Sequence, residues 1–176
     1  MDFLAFLEQS SFSVWIRTSS SVFAYPFFLF LHAIGMGIVV GFSSVLALRI
    51  LGFAPRVPLP PMERLFPVVW VGFWINTASG LVLLASAATT RAVSGVFWIK
   101  MVLIALALVN GQQIRKRVFR DPLLENTPVP MRGKALALAS LFLWAGAITA
   151  GRLMAYIGAS SLENEIKVSA LTRLLW

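Results

Sequence analysis

Histidine occurs once in this chain, at His32, inside the uncharged run FLFLHAIGMGIVVG. An imidazole titrates close to neutral pH and is the commonest metal ligand, so its placement narrows the available chemistry. Three readings follow for an ionisable ring in an apolar helix: a hydrogen bond between helices, ligation of a cofactor or metal, or handling of a proton or substrate. At 100° per residue, Tyr25, His32, Met36, Val39 and Ser43 fall on one narrow arc. That stripe of phenol, imidazole, thioether and hydroxyl is expected to face protein and not lipid.

Two further residues have chemistry out of keeping with their surroundings. Asn76 sits between Gly72 and Gly80 at four-residue steps, which sets an amide between two places of close helix approach. Such an amide serves as interhelical glue or as part of a polar path. Arg152 shares a helix face with Thr149 and Tyr156, about six residues and roughly 9 Å from the expected helix end at Gly158. A guanidinium stays charged, and within a spanning helix costs about 2.5 to 3.5 kcal/mol at the centre, less near an end. No carboxylate lies within the spans to neutralise it, which leaves backbone carbonyls, lipid phosphate, Glu163 or Glu165 folding back, or an anionic cofactor group.

His32, about ten residues into its expected helix, lies roughly 15 Å from the same surface. A haem b held edge-on would suit this arrangement, with iron at His32, propionates toward Arg152 and Tyr156, and Met36, Met101 or Met154 as a second ligand. Copper is the variant: His32 and Met36, one turn apart, offer soft ligands for Cu(I) but only two of them. In a transporter, Asn76, His32 and Met36 would instead line the path.

The elements that must carry these residues follow from charge spacing. Of 176 residues, 59% are hydrophobic and 12% charged, a composition of the membrane class. No Asp, Glu, Lys or Arg occurs from Thr18 to Leu48 or from Leu65 to Thr90. Each gap exceeds the roughly 20 apolar residues that cross a bilayer. The expected fold is an all-α integral membrane four-helix bundle, with spans over 22–51, 65–90, 95–117 and 135–158. Short amphipathic helices are expected at both ends, over 1–17 and 160–175, the second opened by a capping box of Ser160 and Glu163. Leu162, Ile166 and Leu174 are its expected apolar contacts. Two proline-rich stretches, GFAPRVPLPP and DPLLENTPVP, keep their connections from becoming helical.

Charge also sets the orientation. One side carries Arg49, Arg56, Arg64, Arg115, Lys116, Arg117, Arg120, Arg132 and Lys134; the other carries Arg17, Arg91, Lys100, Arg152, Lys167 and Arg173. Nine cations against six put the first set in the cytoplasm and both termini outside. Asp2 stands where a signal peptide would be basic, so the first span is expected to direct insertion itself. On the first span, Ala33, Gly37 and Gly41 make a smooth face fit for a neighbouring helix.

Several function classes are excluded. The net charge of +8 comes from cations between apolar spans, which is not the basic domain of a nucleic-acid binder. Without cysteine there are no disulfides and no thiolate metal sites. The chain offers no paired carboxylates in the spans, no phosphate loop, no HExxH motif, and no second histidine to serve a serine nucleophile.

The segments LHAIGMGIVVG with LALRILG, WVGFWINTASG, FWIKMVLIALALVN, and Trp144 followed by GRLMAY occur in order. This chain resembles an uncharacterised family of bacterial inner-membrane proteins with four helices, from the SVWIRTSSSVFAYP entry segment to Tyr156. The resemblance implies a fold and no established activity. It maps the family's first-helix histidine onto His32, its third-helix pair onto Phe97 and Lys100, and its fourth-helix motif onto Gly151, Arg152, Ala155 and Tyr156. Where similar proteins have Asp-Leu-Arg, this chain has Ala47, Leu48 and Arg49; where many have a histidine after the third-helix Asn, Asn110 is followed by GQQIRKR. Likeness to copper-resistance membrane proteins and b-type cytochrome bundles is one of architecture.

The expectation from sequence is a non-catalytic subunit or anchor of a bacterial inner-membrane assembly, paired with itself or with a larger membrane complex in the lipid bilayer. A haem b electron-transfer subunit ligated by His32 and a small transporter or copper-handling protein are the rival expectations.

Overall fold

The computed structural model describes residues 2–120 and 129–174, with side chains over 3–120 and 129–154 and at Tyr156. Among them, helix is the regular structure: α1 (Asp2–Gln9), α2 (Ser11–Thr18), α3 (Tyr25–Leu51), α4 (Leu65–Ala85), α5 (Ala88–Arg91), α6 (Gly95–Ile114) and α7 (Met131–Leu174). A 3₁₀ turn, Pro60–Arg64, leads into α4, and a π turn, Arg115–Phe119, extends α6. Four of these segments are long and apolar enough to cross a membrane: Tyr25–Leu51, Pro60–Ala85, Gly95–Phe119 and Met131–Met154. The chain is therefore a multi-pass membrane protein built as a helical bundle.

Local chemistry explains the boundaries. Pro26 occupies the first turn of α3, where its missing N–H costs no hydrogen bond. Gly52 ends the helix with φ of +107°, a left-handed cap that residues with a side chain rarely adopt. Arg49 then folds the proline-rich connection back on itself, donating from Nε to Val57 O at 2.6 Å and from Nη2 to Pro55 O at 3.2 Å.

The bundle is two hairpins joined along one seam. Helix α3 packs on α4, α6 packs on α7, and α3 crosses α7 between them, while α4 and α6 make no substantial contact. Two buried clusters run along the seam. Val39, Ala107, Trp144 and Ala147 fill its middle. Leu46, Ala47, Ile50, Phe66, Ile114, Val118 and Ala137 close the end bearing the α3–α4 and α6–α7 connections. Four alanines among them, Ala47, Ala107, Ala137 and Ala147, let backbones approach closely where lipid gives no hydrophobic drive. Asn110 adds a polar tie, donating from Nδ2 to Leu136 O at 2.9 Å across α6 and α7.

Three expectations need revision. The N-terminal amphipathic stretch is two helices, broken where the Ser10 hydroxyl accepts from Ser13 N at 3.3 Å and caps α2. Nor does it only lie in the interface: the Glu8 carboxylate accepts from the Thr89 N–H at 2.8 Å and the Thr89 hydroxyl at 2.6 Å, fastening α1 to α5. The fourth span and the C-terminal helix are one continuous α7, so Ser160 lies inside a helix and not at the start of one. No proline interrupts that stretch, and Ala, Leu, Glu and Lys favour continuation. The side chains of Leu162, Glu163, Glu165, Ile166 and Leu174 and the sequence 121–128 lie outside the described residues.

Candidate functional site

The sole histidine faces α4, as the stripe of Tyr25, His32, Met36, Val39 and Ser43 predicts: none of the five is exposed. Its Nδ1 lies 2.9 Å from the backbone carbonyl of Asn76. A carbonyl only accepts, so Nδ1 carries the hydrogen, and Nε2 is the ring atom left for a ligand or a proton. Asn76 answers in kind, donating from Nδ2 to the backbone carbonyl of His32 at 2.7 Å. Each side chain thus satisfies the other's backbone. Ser79 sits beside the pair, 3.4 Å from Nδ1, while its hydroxyl donates to Ile75 O at 2.6 Å and contacts Asn76 O at 3.1 Å.

Glycines make this contact possible. A Cβ at Gly35 would fall 2.6 Å from Asn76 N and 2.9 Å from Gly72 O, and one at Gly80 would fall 2.9 Å from His32 Cε1. The Gly72–Asn76–Gly80 step read from sequence is therefore the α3–α4 interface. The partnering face of α3 is centred on Gly35, however. Ala33, Gly37 and Gly41 are exposed, and a Cβ at Gly37 or Gly41 would meet nothing within 4 Å.

Beyond the clasp, Met36, Asn76, Lys100 and Trp144 line an interior cavity of about 20 Å³, enough for one water. Lys100 reaches it from α6 with its ammonium lying against α7: a Cβ at Gly151 would sit 3.7 Å from Nζ. Arg91, from the short α5, donates to Leu83 O and, at 3.3 Å, to the Tyr25 hydroxyl. Lys100, Arg91 and His32 thus occupy the half of the bundle nearer the N-terminus of α3. His32 is seven residues from the start of α3, so its depth is about 10 Å, shallower than a helix starting at residue 22 implies.

The remaining candidates lie apart from this cluster. Arg152 is exposed on α7, and Tyr156 is 71% exposed. Thr149 turns its hydroxyl to Ala145 O at 2.9 Å. Neither Arg152 nor Tyr156 lines the cavity that Met36 and Asn76 share. Among the described residues no group of three His, Cys, Asp or Glu side chains gathers around a common point. Every fully buried side-chain nitrogen and oxygen there has a hydrogen-bond partner.

The cavity beside Met36 and Asn76 does not accommodate a haem shared by His32 and Met36. The space beside Asn76 and Met36 holds a water and not a macrocycle, and Met36, one turn from His32 on the same helix, cannot lie across one iron from it. Sequence reasoning missed Ser79, Arg91 and Lys100 as neighbours of the clasp. Lys100 carried a signal, a cation within an otherwise apolar span, but its approach to Gly151 depends on the α6–α7 register.

Comparison with family models, with curated proteins and with solved structures gives no match for this chain. What the protein does must be read from its own side chains.

Proposed function

We propose that the chain is a non-catalytic subunit of a bacterial inner-membrane assembly, with the nine-cation end in the cytoplasm and both termini outside. The observation that carries this reading is the reciprocal clasp of His32 and Asn76. The sole histidine has one ring nitrogen committed to holding α3 on α4. The open Ala33–Gly37–Gly41 face supports it, because a small-residue step without a partner among the described residues suits a spanning helix of another subunit.

The second reading is ligation through His32 Nε2, favoured by the same hydrogen bond, since a carbonyl on Nδ1 is the usual way a ligating imidazole is oriented. Absorbance of the gently solubilised protein, oxidised and then dithionite-reduced, separates the two. The subunit reading expects a flat visible spectrum, and a particle larger than one chain that shrinks in Gly37→Leu. A Soret band lost in His32→Ala would replace it with electron transfer. A monomer in every mild detergent, with no band, would remove both.

A further inference from the structure

A second, larger cavity than the one beside Asn76 lies at the other end of the bundle from His32. Because α4 and α6 do not pack together, they leave a cleft of about 310 Å³, floored by α3 and α7. That is at the small end of the roughly 300–1,000 Å³ typical of ligand sites. Phe66 and Trp70 of α4 line one wall, Leu108 and Gly111 of α6 the other, with Trp144 at the back.

The cleft is polarised along its length. Arg115, Lys116 and Arg120, on and just after the π turn, line its basic end together with Gln112. Glu63 receives Arg115 Nε at 3.0 Å and Arg120 Nε at 3.2 Å, tying the π turn to the 3₁₀ turn before α4. Among the described residues, one carboxylate against three cations leaves positive charge in excess, and Lys116 makes no ion pair. The Arg115 guanidinium also lies 5.6 Å over the Phe66 ring, fixed at the junction of apolar wall and basic rim. A π turn is a costly irregularity that recurs where proteins bind something. Here it turns a run of cations toward the cleft.

We propose that this cleft binds one anionic phospholipid from the leaflet at that end, its phosphate against Lys116, Arg115 and Arg120 and an acyl chain between α4 and α6. Charge complementarity selects the head, and the wall between two spanning helices, lined by Phe66, Trp70 and Leu108, selects the tail. An occupant entering from the bilayer needs no other opening. The assignment is independent of the subunit reading.

The test is native mass spectrometry of the full chain released from bilayers of equal phosphatidylglycerol and phosphatidylcholine. One phosphatidylglycerol should be retained in preference to phosphatidylcholine. Lys116→Glu should lower that preference about fivefold or more, the worth of one cation near such a surface, whereas Arg56→Glu in the neighbouring loop should not. Gly111→Phe, whose side chain would enter open space, should abolish retention with the helical content unchanged. If it does not fold, Leu108→Trp takes its place. Equal retention of both lipids overturns the proposal, as does full retention by the cleft-filling variant or an equal effect of Arg56→Glu. A dimer that carries no lipid and dissociates on Gly111→Phe would assign the cleft to a second copy instead.

Discussion

His32 and Asn76 exchange side-chain hydrogen bonds with each other's backbone carbonyls, at 2.9 and 2.7 Å, across the α3–α4 interface. Such a pair couples two helices more specifically than either side chain alone, because each donor meets an oxygen already engaged in its own helix. Polar ties measured in membranes average about 0.6 kcal/mol and reach about 1.7. A double-mutant cycle of His32→Ala and Asn76→Ala, read by reversible unfolding in bicelles, should give a coupling energy in that range. Strict additivity would mean the two bonds are not formed together.

The α3–α4 contact is closest at glycine. Gly35→Ala should destabilise by roughly 1 to 3 kcal/mol, the usual cost of overpacking, because the new methyl meets the backbone of Asn76 and Gly72. Gly37→Ala faces open space and should be neutral or stabilising by up to about 1 kcal/mol from helix propensity. Paired thermal unfolding of the two variants checks the assignment of faces. Equal effects would mean that α3 is rotated.

That contrast shows how far the sequence could be read. Charge gaps located the first two spans because a lipid-crossing helix excludes charge over most of its length, the third and fourth were legible as apolar runs with one cation each near an end, and the Gly72–Asn76–Gly80 step found the contacting face of α4. On α3 the same spacing rule chose Ala33, Gly37 and Gly41, since a row of small residues looks alike whether it meets a helix of its own chain or none. The run from Ser160 to Glu163 fits a cap and a helix interior equally well, and only the path of α7 distinguishes them. Lys100 marked a helix start in the charge count, while its neighbours were set by the packing of α6 on α7.

The docking of α1 makes a pH prediction. Hydrogen bonds from Thr89, its hydroxyl first and its N–H next, hold the Glu8 carboxyl below its ordinary value, with nearby Arg17 adding to the effect. A depressed carboxyl contributes stability above its unfolded value, and that contribution is lost as pH falls through the folded one. Protection of the amides over residues 2–9, taken relative to their intrinsic exchange rates at each pH, should therefore be high at neutral pH and fall in acid below the ordinary carboxylate range. Glu8→Gln should exchange faster at neutral pH and lose that acid dependence. Identical profiles for the two proteins would show that Glu8 does not fasten α1.

Lys100 poses the sharpest question about occupancy. It lies five residues from the start of α6, about 7.5 Å along the helix, and makes no ion pair among the described residues. A cation in a span costs up to about 2.5 to 3.5 kcal/mol at the centre and less toward an end. Lys100→Met keeps the length of the side chain and removes the charge, so an uncompensated ammonium predicts a Tm that rises or holds. A Tm that falls would mean the charge is compensated in the native protein by an anionic group near Gly151 and Asn76. Gly151→Leu would then decide where that group sits: crowding Nζ should abolish the difference between lysine and methionine at position 100, whereas a partner bound elsewhere would leave it unchanged.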